Sequence, residues 1–330
     1  MNRRRFIAGT GAVAVALSFH RGTRAEATPT ATIWGSAAPL PVGRSEFAAT
    51  VLDGKIYVAG GFGAESLFDR YDPSTNQWES LADLPAPRNH LGLAAVDGGV
   101  YVAGGHNHGT NSATDTFWRF DVAAGTWETL APLPQGPRGG LGAAALNGSI
   151  YVAGGSSVDL SGPATGDVAR YDPATATWAA CAPMPTAREH LAVGVAAGKL
   201  VTVGGRNGGY EALELISATE VYEPATDSWT TGAALPVPRA GFGTANNGDS
   251  IIVIGGERFT DDDGAADARA YAAVNSYDVS LDQWSSLPDM PLARHGMAAA
   301  VVDGVLYAIG GSTVAGQVAN VDRVDTLLLT

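Results

Sequence analysis

The stretch RSEFAATVLDGKIYVAGG, residues 44–61, contains the features that repeat through the chain. It begins with an arginine, continues through an apolar run and an Asp-Gly turn, and ends in a second apolar run followed by two glycines. The arginine always precedes the glycine pair by the same spacing. The six arginines are Arg44, Arg88, Arg138, Arg188, Arg239 and Arg294, and the pairs begin at Gly60, Gly104, Gly154, Gly204, Gly255 and Gly310. Such a fixed period predicts an assembly of similar structural units.

Each unit has the pattern of four short strands. The Asp-Gly and Asn-Gly turns between the first two apolar runs predict β-hairpins, because type I′ turns need positive φ. After the glycines, a third strand ends at an acidic residue that precedes a tryptophan by a constant spacing, and a fourth strand begins there. The acidic residue and tryptophan pairs are Asp72 and Trp78, Asp121 and Trp127, Asp172 and Trp178, Glu223 and Trp229, and Asp278 and Trp284.

This combination of arginine, double glycine, tyrosine and tryptophan resembles the kelch repeat, a four-stranded propeller blade. The resemblance implies an all-β, six-bladed kelch β-propeller over residues 28–330, similar in fold to the exported bacterial sialic-acid mutarotases and more distantly to galactose oxidase. Only five pairs of acidic residue and tryptophan follow the six glycine pairs, so the sixth blade lacks a fourth strand. We predict that the strand around Trp34 supplies it and closes the ring, which leaves no free sheet edge.

Residues 1–27 have the pattern of a cleaved export signal. Three arginines at positions 3–5 precede an apolar run from Phe6 to Phe19, and Ala25-Glu26-Ala27 matches a cleavage site. The arginines resemble a twin-arginine signal, which implies a periplasmic or secreted protein. The apolar run is short, so we expect no stable membrane anchor.

Charge and cysteine content exclude several classes of function. The net charge of −13 becomes −17 without residues 1–27, because that segment carries five arginines and one glutamate. With Lys55 and Lys199 as the only lysines, the chain offers no basic surface for nucleic acid or anionic lipid. Cys181 is the only cysteine, so no intrachain disulfide can form. We expect a monomer that is stabilised by its core.

The histidines point to one face of the predicted propeller. All five that follow the signal segment lie one to three residues after a repeat arginine or a glycine pair, and those two connections share a face because blade strands alternate in direction. The candidate catalytic residues are His90, His190, Glu189 and His295, and the candidate ligand-binding residues are Asn89, His106, His108, Arg206 and Glu257. We expect these residues to line a funnel at the centre of this face, with His106 nearer to its mouth than His108.

Three functions are consistent with these candidate residues on one face of the propeller. A small polar, carbohydrate-like ligand could bind in the funnel and undergo acid–base chemistry of the mutarotase or epimerase type, with a histidine that titrates near neutrality. Alternatively, Glu46, His90 and His190 occupy the same repeat position and could hold a divalent metal as a 2-His-1-carboxylate set. The third alternative is a non-catalytic protein-interaction module.

Overall fold

The computed structural model describes residues 33–157, 163–208, 213–260 and 266–329. The predicted signal segment, residues 1–27, lies outside this range. Throughout the described residues the regular elements are strands, and they form six four-stranded antiparallel sheets. The predicted all-β, six-bladed propeller is therefore confirmed. The same residues contain no helix long and apolar enough to cross a membrane.

The blades follow one another along the chain, and their strands are given from the innermost outward. Blade 1 consists of Ala48–Leu52, Lys55–Ala59, Phe68–Asp72 and Gln77–Ser80; blade 2 of Gly92–Val96, Gly99–Ala103, Phe117–Asp121 and Thr126–Thr129; blade 3 of Gly142–Leu146, Ser149–Ala153, Val168–Asp172 and Thr177–Cys181. Blade 4 consists of Ala192–Ala196, Lys199–Val203, Thr219–Glu223 and Ser228–Gly232; blade 5 of Gly243–Asn247, Ser250–Ile254, Val274–Asp278 and Gln283–Leu287; blade 6 of Ala298–Val302, Val305–Ile309, Val324–Leu328 and Trp34–Ser36.

Three short ladders stand apart from the blades, on the loops that follow the glycine pairs of blades 2, 4 and 5. They pair Arg88–Asn89 with His106–Asn107, Arg206–Asn207 with Glu214–Leu215, and Glu257–Thr260 with Ala266–Ala270. The innermost strands of neighbouring blades contact each other all the way round, including blade 6 with blade 1.

The chain closes the ring as predicted. Trp34–Ser36 pairs antiparallel with Val324–Leu328, with Trp34 opposite Leu327. The indole Nε1 of Trp34 also donates a hydrogen bond to the carbonyl of Pro288 in blade 5, at 3.2 Å. The last blade is thus completed by the first strand of the chain, and both sides of the seam are hydrogen-bonded.

The same tryptophan bond joins every pair of neighbouring blades. In each blade the outer-strand indole donates to the carbonyl four residues after the tryptophan of the preceding blade. The remaining bonds are Trp78 to Ala38 at 2.9 Å, Trp127 to Ala82 at 2.9 Å, Trp178 to Ala131 at 3.0 Å, Trp229 to Ala182 at 2.8 Å and Trp284 to Ala233 at 2.8 Å. The repeated tryptophans therefore hold the outer edges of the blades together.

The glycine pairs are required because neighbouring blades approach each other closely there. Gly60 and Gly61 have φ of 64° and 93°, a region that other residues adopt only at a cost. A Cβ on Gly60 would lie 2.4 Å from the carbonyl oxygen of Arg88, and one on Gly61 would lie 2.5 Å from that of Ser45. Glycine therefore allows the start of one blade to pack against the end of the preceding one.

The repeat arginines belong to the scaffold. All six are buried, and the guanidinium groups of Arg44, Arg188 and Arg294 form ion pairs with acidic residues on the third strand of the same blade. Arg239 bonds to Asn275 instead, and Arg138 donates to backbone carbonyls of its blade. These side chains fix the loop that leads into each innermost strand.

Candidate functional site

A closed ring of backbone hydrogen bonds surrounds the propeller axis at the predicted face. It is formed by the second residue after each repeat arginine, and we call these six residues the axial ring. The bonds run from Glu46 N to Gly296 O (2.7 Å), His90 N to Glu46 O (2.8 Å), Gly140 N to His90 O (2.9 Å), His190 N to Gly140 O (2.8 Å), Gly241 N to His190 O (3.0 Å) and Gly296 N to Gly241 O (2.7 Å). All six residues have positive φ, between 50° and 64°.

Positive φ is costly for the three members of the axial ring that are not glycine. Glu46, His90 and His190 have φ of 52°, 55° and 50°, and each costs about 1–2 kcal/mol relative to a right-handed conformation. Glycine would avoid this cost, as it does at the other three positions. A strained backbone that holds polar side chains in place is typical of functional sites.

The three side chains of the axial ring converge. The Glu46 Oε2 atom lies 3.4 Å from His90 Nε2 and 3.8 Å from His190 Nε2, and the two imidazole rings are 4.8 Å apart between centroids. One ligand atom from each residue lies within 4.8 Å of the other two. The sequence therefore placed these three residues together correctly, and whether they bind a metal stays a prediction.

The far nitrogen of each imidazole is backed by a buried polar residue. His90 Nδ1 is 2.6 Å from the Asn89 Oδ1 atom, which accepts a hydrogen bond from it. His190 Nδ1 lies 3.4 Å from Glu189 Oε1. The hydrogen bond to Asn89 places the ring proton of His90 on Nδ1, and the lone pair of its Nε2 is then directed toward Glu46.

Arg206 is held by protein groups on all three of its nitrogens. Its Nε donates to Glu189 at 2.9 Å, its Nη1 to Glu257 at 3.3 Å, and its Nη2 contacts His190 Nε2 at 3.1 Å. The guanidinium also lies over the ring of Phe259, 5.6 Å from its centroid. Arg206 therefore organises the site from within and has no nitrogen without a protein partner.

His295 lies between two carboxylates and a carbonyl. Its Nδ1 is 3.0 Å from Glu257 Oε2 and 3.4 Å from Glu46 Oε1, as ion-pair contacts outside the angular range of a directed hydrogen bond. Its Nε2 lies 2.9 Å from the carbonyl oxygen of Val314, to which it must donate. Both ring nitrogens face acceptors, which is the environment of an imidazolium ion. We call Glu46, His90, His190, Arg206, Glu257 and His295 the central cluster.

The pKa values of His90 and His295 are shifted in opposite directions. Burial lowers the pKa of His90 well below its ordinary value, and the charge of Glu46 offsets this only in part. Burial would also lower the pKa of His295, but its contacts with Glu46 and Glu257 outweigh this and raise it to about 9. At pH 7, His90 is therefore neutral and His295 charged. The expectation that a histidine of the site titrates near neutrality does not hold for either.

Two carboxyl groups of the site, Glu46 and Glu189, remain ionised although they are buried. Burial would raise the pKa of Glu46, but the surrounding histidines outweigh this and lower it far below its ordinary value. Burial acts on Glu189 in the same way, and the adjacent His190 and Arg206 lower its pKa to about 2. The site thus holds fixed charges at neutral pH.

The central cluster lines a small pocket. The cavity has a volume of about 70 Å³ and is bounded by all six cluster residues and by Ser45, Phe62, Phe259, Gly316, Gln317 and Val318. Residues 316–318, which we call the cover segment, come from the last blade, and the Gly316 amide donates to Glu257 Oε2 at 2.7 Å. A second cavity of about 130 Å³ is also bounded by Glu46, His90 and His190, and the rest of its lining consists mainly of apolar residues and glycines at the innermost strands.

Four of the predicted residues lie outside this pocket. Asn89 and Glu189 are buried behind the imidazoles of the axial ring, and His106 packs against His90 with ring centroids 5.1 Å apart. These three are supporting residues that do not line the pocket. His108 was wrongly placed in the site: its side chain is 62% exposed, and it pairs with Glu65 at 3.2 Å.

The misplacement of His108 has a local cause. The chain turns just after His106, since the amide of Asn107 donates to the carbonyl of Ser112 and Asn111 has a positive φ of 50°. His108 therefore lies on the exposed tip of this turn.

Sequence reasoning missed the aromatic walls and the cover segment. Phe62 follows its glycine pair directly, as His106, Arg206 and Glu257 do, so the repeat register could have identified it. Phe259 and residues 316–318 lie further along loops that share no pattern between blades. No periodic signal marks them in the sequence.

Comparison with known proteins assigns the family. The family model described as the Attractin/LZTR1 beta-propeller matches residues 56–320, which is most of the chain. The chain belongs to the Attractin/LZTR1 β-propeller family. This assignment agrees with the kelch character of the repeat.

Other relatives of this Attractin/LZTR1 propeller match over shorter stretches. Kelch-like protein terF of Aspergillus terreus is 32% identical over 44% of the chain and 32% of its own length, and alpha-scruin of Limulus polyphemus is 30% identical over 46% and 16%. The chain thus spans less than a third of these relatives. A solved structure titled "Structure of YjhT" superimposes with a TM-score of 0.76 at 18% identity, covering 87% of this chain and 95% of that one. That likeness shows the fold alone.

Proposed function

We propose that the protein binds a small polar ligand in the pocket lined by the central cluster. The observation that carries this proposal is the conformation of the axial ring: Glu46, His90 and His190 adopt positive φ and their side chains converge, and Glu46 Oε2 and His90 Nε2 make no hydrogen bond to another described residue. A purely structural ring would be served better by six glycines. Functional groups held in such a rigid arrangement are preorganised for a ligand.

The chemistry that suits this arrangement is proton transfer. The neutral His90 has its Nε2 lone pair toward the pocket, so it can accept a proton from a ligand hydroxyl. His295 is the acid of the cluster, and Glu46 lies between the two, 3.4 Å from each. A base and an acid whose pKa values are separated by their surroundings are what a mutarotase- or epimerase-type reaction requires.

The pocket limits the size of the ligand. A volume of about 70 Å³ holds roughly five water-sized groups, which is less than a sugar ring needs. For a carbohydrate-like ligand we therefore propose that the cover segment moves aside. The Gly316 amide attaches the cover segment to Glu257, and the contact of His295 with Val314 holds the turn that precedes the segment.

Thermal-shift screening with sugars, amino sugars and sugar acids tests the binding proposal, because a ligand that binds the native state raises its stability by mass action. We expect at least one compound to stabilise the protein and the His90→Ala variant to lose that effect. His108→Ala is the matched control, since His108 is exposed and outside the pocket. Equal responses of the two variants would contradict a ligand site at the cluster.

A divalent metal at Glu46, His90 and His190 is the second candidate. In a tetrahedral zinc site with bonds of about 2.0–2.1 Å, ligand atoms lie about 3.3 Å apart. The distances of 3.4 and 3.8 Å from Glu46 Oε2 to the two Nε2 atoms are close to that value. The Nδ1 contacts with Asn89 and Glu189 are the outer-shell bonds that zinc-binding histidines make.

Arg206 opposes metal binding. Its Nη2 lies 3.1 Å from His190 Nε2 and competes for the lone pair that a metal would need. Metal analysis of protein purified without chelators or affinity-tag nickel decides between the candidates. One equivalent of zinc or another divalent metal, lost in His90→Ala and kept in His108→Ala, supports the metal site; a metal content near zero refutes it.

A further inference from the structure

The atoms at the centre of the central cluster indicate the charge of the ligand group that would bind there. This inference rests on the proposed function. Glu46 Oε2 and His90 Nε2 both point there, 3.4 Å apart, and neither makes a hydrogen bond to another described residue. A carboxylate oxygen accepts hydrogen bonds only, and so does an imidazole nitrogen whose ring proton is on the other nitrogen. These two atoms therefore present acceptors only, and the charged donors of the cluster, His295 Nδ1 and the guanidinium of Arg206, face protein carboxylates.

The two cations of the cluster, Arg206 and His295, are not available to bind an anionic ligand, because protein groups already contact them. Arg206 is bonded to Glu189, Glu257 and His190. His295 donates through Nε2 to Val314 and faces Glu257 and Glu46 through Nδ1. An incoming anion would have to break one of these buried contacts, and the carboxylate left behind would lose its partner at a cost.

The walls are also suited to a positive charge. Phe62 packs against His90 in a T-shaped arrangement, with ring centroids 5.4 Å apart, and Phe259, which contacts Arg206, also lines the pocket. Aromatic rings attract cations and give no hydrogen bonds to a carboxylate. No other acidic or basic side chain lines this pocket among the described residues.

We infer that the group completing the centre of the cluster is positively charged, and that the site rejects carboxylates. An ammonium group of an organic ligand has the required chemistry, because it brings three N–H donors to Glu46 Oε2 and His90 Nε2. A divalent metal ion shares the charge but binds the same two atoms directly. The acidic sugar of the sialic-acid mutarotases, which the repeat resembles, is the wrong charge for this site.

Three two-carbon probes of nearly equal size test the inference: ethanolamine, ethylene glycol and glycolate, which offer an ammonium, a second hydroxyl and a carboxylate. Calorimetric titration at pH 7 and constant ionic strength gives the affinities for the whole protein. We expect ethanolamine to bind at least tenfold more tightly than ethylene glycol, and glycolate to bind least. A parallel titration with Zn²⁺ separates the two sources of positive charge: binding of Zn²⁺ alone supports the inference with a metal as the cation.

Two variants complete the test. Glu46→Gln keeps the size of the side chain and removes its charge, so the preference for ethanolamine over ethylene glycol should fall to less than threefold. His108→Gln should leave the preference unchanged. If glycolate binds as tightly as ethanolamine, the inference is overturned while the proposed ligand site stands. If neither Zn²⁺ nor any of the three probes binds, the proposed site itself fails.

Discussion

The charge on His295 should make the stability of the protein fall as the pH rises above neutrality. The folded-state pKa is raised to about 9, whereas an exposed histidine has about 6.5. A histidine with a raised pKa stabilises the fold fully below pH 6.5, and this contribution is lost as the pH rises through 9. At about 1.4 kcal/mol per pH unit, the difference corresponds to about 3 kcal/mol. The imidazole is almost completely buried, so solvent screening reduces this little.

Urea unfolding between pH 6 and 10 measures the effect against the variant His295→Gln. Glutamine can still donate to the Val314 carbonyl, but it carries no charge between Glu46 and Glu257. With a slope of about 3 kcal/mol per molar urea, the wild-type midpoint should fall by about 1 M between pH 6.5 and 9 relative to the variant. His108→Gln should follow the wild type, because that imidazole is exposed. Parallel curves for the wild type and His295→Gln would show that His295 is not the buried cation described here.

Three further predictions concern the seam, the axial ring and the pH range of binding. Trp34→Ala should lower the free energy of unfolding by about 3–5 kcal/mol, since a buried side chain and an inter-blade bond are lost; a loss below 1 kcal/mol in urea unfolding would contradict the closure. Gly296→Ala should weaken ligand binding in calorimetry, because the new Cβ would lie 2.4 Å from Glu46 Oε1. The control is Gly304→Ala, at a turn with a positive φ of 74° and no atom within 4 Å of the new Cβ, and it should leave binding intact. Because the pKa of His90 is lowered, binding that needs its neutral form should be unchanged between pH 7.5 and 6.5, and a loss of binding centred near pH 6.5 in the same titrations would be the contrary result.

The sequence was sufficient to predict the architecture because each repeated residue has one structural task. The arginines fill the loop before each innermost strand, the glycine pairs allow close packing, and the tryptophans bond neighbouring blades. Trp34 lacks the residues that accompany the other five, yet its position before Arg44 identified it as the missing outer strand.

The centre of the site was predictable for the same reason, and its surroundings were not. Glu46, His90 and His190 share a register, and register fixes position on a propeller. Register does not fix charge: the opposite titration of His90 and His295 depends on burial and on carboxylates from other blades. The cover segment and Phe259 lie in loops whose conformation has no counterpart in the other blades.

Nitrogen NMR of protein labelled with ¹⁵N-histidine tests the central claim most directly, because it reports the protonation of each ring nitrogen in the central cluster. Resonances can be assigned by comparing the His90→Gln and His295→Gln variants with the wild type. At pH 7 we predict a neutral His90 with its proton on Nδ1 and a bare Nε2, and a His295 protonated on both nitrogens. A His90 that carries its proton on Nε2, or is an imidazolium, would contradict the acceptor-lined centre from which the ligand site is inferred.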